Sequence, residues 1–479
     1  MRTHEVLNQP PPLTGYNIFR SDRALVQTLV QEGASSAFEA LDALGMLAGS
    51  ELAQEWGRQA NEHPPKLRTH DRYGRRIDEV EFHPAYHELM SVAARGGLHA
   101  APWVSGDPAA HTVRAAKFYV WGQVEAGHGC PISMTYAAIP ALRVSPEIAR
   151  LWEPRLTECE YDPVLRPISE KRSATCGMAM TEKQGGSDVR ANLTRATFAQ
   201  HTQAGDAYLL TGHKWFCSAP MSDMFLVLAQ TDSGLSCFVM PRVLPDGTRN
   251  HIFIQRLKDK LGNRSNASSE IEMDGAWALL LGEPGRGVQT IVEMVNGTRL
   301  DCINGSASLM RQAVAQAIHH ATYRHAFGKP LVDQPLMQNV LADLALESEA
   351  AMALLLRLAR AVDRGESELR RLGTAVGKFY VCKRAPVVVG EALECLGGNG
   401  YVEESPMPRL YREAPLNSIW EGAGNINALD VQRIISKQPQ ALNAFWAEIE
   451  PALNDSRMRR AADALMTALR SRETAESRA

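Results

Sequence analysis

No stretch of the chain approaches the roughly 18 uninterrupted apolar residues that a membrane-spanning helix requires. The opening Met1-Arg2-Thr3-His4-Glu5 lacks the apolar run of a secretory signal. The eight cysteines (130, 159, 176, 217, 237, 302, 382 and 395) contain no Cys-x-x-Cys pair. A disulfide framework or zinc site is therefore not expected, and a reducing cytoplasm fits. Neither sign of charge dominates: 51 basic against 54 acidic side chains leave −3. That balance gives no whole-chain attraction to nucleic acid or an acidic membrane, so any such contact must come from a local patch. His63, His70, His83 and His87 lack metal-ligand spacing with supporting carboxylates, apart from the i, i+4 pair at 83 and 87. Gly282–Gly287 lacks the Lys-Ser/Thr of a phosphate loop and reads as a linker. No metal site is expected.

What is present is a 45% hydrophobic fraction in 479 residues, enough for a sizeable core and incompatible with global disorder. At roughly 100–200 residues per domain, two to four domains are expected. Residues 1–20 read as a Pro-rich arm around Pro10–Pro12, and 21–172 as mainly helical. From 173 to 282 short β-like runs alternate with turn residues: Ala207–Leu210, Met224–Ala229, Ser236–Met240, His251–Ile254 and Ser269–Met273. Helical periodicity returns over 283–437, with apolar stripes in 305–325, 334–363 and 366–396, the last carrying a Pro386 expected to kink it. A tail, 438–479, predicts two short amphipathic helices that must pack on the body or on a neighbouring subunit.

Four clusters carry potential chemistry. Met178–Asp188 ends a β-run with hydroxyls and paired glycines that suit a flavin ring or a phosphate, although a β-turn explains the same residues. Gly212–Ser218 offers Trp215 as a flat surface, or as an ordinary core Trp. Gly397-Gly398-Asn399-Gly400 has more glycines than a helix C-cap needs. Ile419–Asn425 places Glu421 between Trp420 and two glycines, where partial desolvation would raise its pKa toward that of a useful base. The plainer reading is a glutamate complementing a helix dipole.

In this order, the motifs resemble the acyl-CoA dehydrogenase superfamily. The marks are Thr181…Gly-Gly-Ser-Asp188, Trp215, Arg324-x-x-Phe-Gly328, Gly397–Tyr401 and Glu421-Gly422. Residues 142–189, Ala60–Pro65, Arg75–Phe82 and Ile419–Asn425 resemble most closely its AidB branch, the isovaleryl-CoA dehydrogenase-like flavoproteins linked to the bacterial response to DNA alkylation. The resemblance implies an α+β fold: an N-terminal α-helical domain, a central antiparallel β domain and a C-terminal four-helix bundle.

It also implies FAD, an acyl-CoA substrate and a dimer-of-dimers homotetramer. By position, Met178, Ala179, Met180, Thr181, Gly186 and Ser187 would hold the flavin. Trp215, Phe216, Cys217 and Ser218 would line its ring, with Ala423 and Asn425 also on the cofactor. Arg324, Phe327, Glu394, Gly397 and Gly398 would reach the FAD of a neighbouring subunit. Ser187, Asn296, Arg299 and Gly422 would face substrate. Glu421 would remove the α-proton of a short branched acyl thioester while flavin N5 takes the β-hydride.

Several positions depart from the family pattern. Asn296 stands for an Asp, Ala423 for a Thr or Ser, Glu394 for a Gln and Cys217 for a Thr, which implies weak turnover. The branch attributes DNA binding to a basic helical C-terminal domain. Here Lys437–Ala479 holds seven basic and six acidic residues. The alternative reading is a DNA-associated protective flavoprotein with little dehydrogenase turnover.

Overall fold

The computed structural model describes residues 3–470. The N-terminal region is helical except at one place. Strands β1 (Lys66–His70) and β2 (Arg76–Glu81) form an antiparallel hairpin within the stretch expected to be mainly helical. Its turn is local chemistry. The Asp71 carboxylate accepts the N–H groups of Tyr73 and Arg75, and Gly74 takes φ 81°. The hairpin docks outside its own region: Arg242 donates to the Asp78 carbonyl, and Val80 is buried among barrel residues.

Two N-terminal helices matter for the site, α1 (Ala110–Gly122) and α2 (Gly129–Leu142). The central unit contains β3 (Cys176–Ala179), β4 (Arg195–Thr202), β5 (Gly205–Ser218), β6 (Met224–Thr231), β7 (Gly234–Pro241), β8 (Ile252–Leu257) and β9 (Ser268–Leu281). These seven strands run β3-β6-β4-β5-β9-β7, with β8 beside β9 and β6 also paired with β7, so the sheet closes on itself. It is antiparallel except where β6 meets β3 and β4 in parallel. Five of the strands extend the expected β-runs. β5 and β9 are much longer than those runs, because β5 serves two neighbours and β9 three. Sequence patterning misses β4, which is largely exposed and lacks the alternation of buried and open positions.

The C-terminal helices are α3 (Gly287–Tyr323), α4 (Pro335–Asp363), α5 (Ser367–Cys395) and α6 (Gly424–Lys437). The stripe read over 305–325 is only the second half of a 37-residue helix. α5 continues through Pro386. One core runs through both helical regions, joining Phe19, Tyr119 and Trp121 to Ile303, Leu355 and Val389. A second joins α2 to the outside of the barrel through Met134, Ala138, Leu226 and Cys237. The tail begins with α7 (Pro439–Ile449), which packs on α5 through Ala441, Leu442 and Phe445 against Leu372 and Ala375. The last described element, α8 (Ser456–Arg470), keeps Met458, Leu465 and Met466 exposed. Among the described residues no helix is long and apolar enough to cross a membrane.

Candidate active site

Glu421 sits on the turn that leads into α6, with φ 57°, in the left-handed region that costs a non-glycine residue of order 1 kcal/mol or more. The turn is held from beneath. Lys378 Nζ donates to the carbonyls of Trp420, at 2.8 Å, and Gly422. Arg299 Nε donates to the carbonyl of Glu421 itself at 3.0 Å. Asn427 Nδ2 donates to the carbonyls of Gly422 at 2.6 Å and Ala423 at 3.1 Å. With four successive carbonyls thus engaged, the Glu421 side chain turns to the other side, where Thr298 Oγ1 donates to Oε2 at 2.7 Å. Burial pushes the Glu421 carboxyl above the ordinary glutamate range, against the opposing effects of Thr298, Lys378 and Arg299. Gly422, at φ 95°, is required as glycine: a Cβ there would meet Arg299 Nη2 at 3.2 Å and Ile426 Cγ2 at 3.2 Å.

Arg299 is itself anchored. Its Nη1 donates to Asp430 at 2.7 Å, and Asp430 also accepts from Arg371 at 2.6 and 2.9 Å. Burial opposes ionisation of Asp430, but Arg371 and Arg299 outweigh it and hold the carboxyl below its usual range. Asn296 lies about one helical turn before Arg299 on α3. It lines a cavity of about 240 Å³ with Glu293, Arg370, Thr374 and Gln438.

On the barrel side, Met178 and Ala179 lie on edge strand β3 and are buried, while Met180 and Thr181 are half-buried beyond it. The following loop folds back, since a Cβ on Gly186 would meet Thr181 Oγ1 at 2.6 Å. Ser187 is exposed. The loop is pinned by Glu182, which accepts Lys214 Nζ at 2.8 Å and the amide of Leu193 at 2.7 Å. Burial works against the Glu182 anion, but Lys214 prevails and holds the carboxyl down at about 2.

Trp215 N donates to the Thr181 carbonyl at 2.8 Å, tying β5 to this loop. Between Lys214 and Cys217 the register with β9 slips by one residue. That bulge presents both Trp215 and Phe216 outward instead of alternately. Lys258 Nζ lies 3.2 Å from the Trp215 ring centroid. Cys217 points into the barrel core, and Ser218 Oγ pairs with Ser268 Oγ at 3.1 Å.

Glu421, Gly422 and Arg299 are therefore brought together part-way along the bundle, while Asn296 lies a helical turn away beside a separate cavity. Arg324, Phe327, Glu394, Gly397 and Gly398 are not part of that group. They gather at one end of the bundle, where Glu394 lies roughly 24 Å along α5 from Lys378 at 1.5 Å per residue. There Arg324 donates to the Asn8 carbonyl, and Asn399 Nδ2 donates to Gln9 Oε1 at 3.2 Å, so the Pro-rich arm belongs to this patch. Phe327, at φ 51°, is 98% exposed.

Sequence reading did not single out Thr298, Lys378 or the Glu182–Lys214 pair for roles. The last two lay inside quoted motifs; Thr298 and Lys378 carry no local signal, since only helix packing aims them at residue 421. Among the described residues no group of three or more His, Cys, Asp or Glu side chains could hold a metal ion.

These features suit a flavin dinucleotide. An outward aromatic pair and the Thr181 and Ser218 hydroxyls supply a flat face and polar contacts. Among the described residues, the amide N–H groups of Gly422, Ala423 and Gly424 have no hydrogen-bond acceptor at the start of α6.

Comparison with known proteins gives the same assignment along the chain. Residues 8–163 match the adaptive response protein AidB N-terminal domain. Residues 177–276 and 285–436 match the middle and C-terminal domains of acyl-CoA dehydrogenase. AidB of Escherichia coli (strain K12) is 50% identical over 443 residues, covering 91% of this chain and 81% of that protein. Acyl-CoA dehydrogenase family member 11 of Caenorhabditis elegans is 32% identical, covering 95% of this chain and 78% of that one. The crystal structure of Caenorhabditis elegans ACDH-11 in complex with C11-CoA superimposes with a TM-score of 0.87, at 30% identity, over 98% of this chain and 83% of that chain. With this extent of identity on a matching fold, the chain belongs to the FAD-dependent acyl-CoA dehydrogenase family, as an AidB-like oxidoreductase.

Proposed function

We propose that this protein dehydrogenates a short branched acyl-CoA, with Glu421 as the base that removes the α-proton. The observation that carries the reading is the engaged turn at 420–423 together with the Thr298–Glu421 contact. It fixes one half-buried carboxylate beside α3, and burial makes that carboxylate a stronger base than an exposed glutamate. Bound FAD supplies the hydride acceptor, so that loss of the α-proton to Glu421 and of the β-hydride to the flavin leaves a carbon–carbon double bond. Trp215 and Phe216 would flank the ring, with Met178–Thr181, Gly186, Ser187, Cys217 and Ser218 on its barrel side and Ala423 and Asn425 at the start of α6.

Among the described residues the Glu421 amide has no hydrogen-bond acceptor, and it is available to polarise the thioester carbonyl. The substrate would lie by Ser187, Asn296, Arg299 and Gly422. Asn296, Ala423, Glu394 and Cys217 depart from the family pattern and make turnover slow. A homotetramer would bring Arg324, Phe327, Glu394, Gly397 and Gly398 of one protomer to the cofactor of its partner. This accounts for the distance between the two groups within one chain.

The test is an anaerobic titration of the yellow protein with a panel of acyl-CoAs including isovaleryl-CoA. Bleaching of the flavin by at least one, abolished in Glu421→Gln with FAD content unchanged, supports the reading. Bleaching unaltered by Glu421→Gln removes Glu421 from the role.

A second reading, a DNA-associated protective flavoprotein acting in the response to DNA alkylation, has one observation in its favour. Arg457, Arg459 and Arg460 crowd the exposed first turn of α8. Duplex binding that weakens steeply with salt and is lost on neutralising the three would support it. No binding at low salt would end it.

A further inference from the structure

Lys378 lies in the middle of α5 and is 1% exposed. Among the described residues no carboxylate lies within 4.0 Å of its ammonium, and its hydrogen bonds go to two main-chain carbonyls, on either side of Glu421. A buried cation without an ion pair is costly unless dipoles and a nearby anion compensate it. Here both compensations point to the same residue.

We propose that Lys378 is a positioning residue for Glu421: by gripping the carbonyls of Trp420 and Gly422 it holds the intervening residue in its left-handed conformation and supplies the counter-charge its carboxylate needs. The proposal rests on Glu421 being the base. The ionisable groups that face Glu421 are few. Lys378 comes from α5, Arg299 and Cys302 from α3, and Cys130 from α2. Burial raises the Cys130 thiol to about 12 and pushes Cys302 well above its ordinary value, so neither carries charge near neutrality. Two cations are left. Arg299 is shared with Asp430, whereas Lys378 is not shared with any carboxylate among the described residues. Without Lys378 the turn loses its grip on two carbonyls and Glu421 loses its undivided counter-charge. The carboxyl then becomes harder to ionise and less well aimed.

The experiment uses FAD-loaded protein and two measurements. In the first, thermal midpoints are recorded from about pH 5 to pH 8.5, across the range a raised carboxyl titrates. The proteins are the parent, Glu421→Gln, Lys378→Met and the double variant. The difference that Glu421→Gln makes should change through a titration lying at least about one pH unit higher in the Lys378→Met background. Lys378→Arg should restore it. In the second, the acid limb of flavin bleaching by isovaleryl-CoA should move up by the same amount, with kcat falling about tenfold or more and KM little changed. Should Lys378→Met not fold, Lys378→Gln, which keeps a donor without the charge, takes its place.

An unmoved Glu421 titration, or a loss of thermal midpoint equal at every pH, overturns the proposal and leaves Lys378 a purely structural donor. Should no acyl-CoA bleach the parent protein, the dehydrogenase reading fails, while the thermal cycle still decides whether Lys378 governs Glu421.

Discussion

Lys214 and Glu182 form an ion pair at 2.8 Å in which both side chains are 0% exposed. The lysine comes from β5 and the glutamate from the loop after β3, so the pair clamps the two segments that carry Thr181 and Trp215. Glu182 is further satisfied by the amides of Leu193 and Thr194, and Lys214 by the carbonyl of Leu228. A fully hydrogen-bonded buried pair contributes little relative to an apolar replacement, but breaking it on one side leaves a bare charge.

Lys214→Met should therefore cost about 3–5 kcal/mol in denaturant unfolding, and a double variant with Glu182→Met should recover part of that loss. The Glu182 carboxyl is held down at about 2, below its unfolded value near 4.3, so its contribution is present above that value and fades as pH falls toward 2. Unfolding free energy measured from pH 6 down to pH 3 should decline more gently in Glu182→Gln than in the parent protein.

The opposite sign is expected at Glu413. Burial, reinforced by Glu125, raises its carboxyl to about 7, while Asn263 donates to it from both main chain and side chain. Between its unfolded value near 4.3 and about 7 the folded protein binds the extra proton, so this residue loses stabilising effect as pH rises through that window. Glu413→Gln should be the less stable form at pH 5, through its damaged contact with Asn263, and close the gap by pH 8. Thermal midpoints across that range read it directly, and a gap that widens with pH would contradict it.

Gly422→Ala should damage function more than cofactor binding. The positive φ and the 3.2 Å approach of Arg299 force the turn to shift, at a cost of about 1–3 kcal/mol. Flavin content of the purified variant should be close to that of the parent, and the rate of bleaching by an acyl-CoA should drop about tenfold or more.

Asp430→Asn should act on Glu421 at one remove. It releases Arg299 and Arg371 from their shared anion, so the guanidinium that holds the Glu421 carbonyl becomes free to move. Bleaching should slow, and the effect should be non-additive with Arg299→Lys, because both changes act through the same contact. Full additivity in kcat would separate the two residues.

The motifs legible in the chain were those whose chemistry is local. The turn at Glu421-Gly422, the loop Met178–Asp188 and the glycines after α5 announce themselves because unusual backbone conformations select unusual residues. The helical stripes of α4 and α5 were equally plain, since burial of one face repeats every three to four residues. The pairing of β1 with β2 is local, but β1 buries no face and the hairpin gains its burial only by docking on Arg242 and Ile254, which are remote in sequence. β4 was missed because an exposed strand has no reason to alternate.

By itself, then, the sequence determined the order of helical, β and helical segments and the residue types at each turn. Those depend on propensity and hydrophobic period within a few residues. Tertiary structure alone decided that Lys378, Thr298 and Arg299 converge on residue 421, that the two helical regions share one core, and that Arg324 and Gly397 stand at the far end of the bundle from Glu421. Contacts between residues 42 to 123 positions apart are fixed by how helices cross and pack, and no spacing within the chain records them.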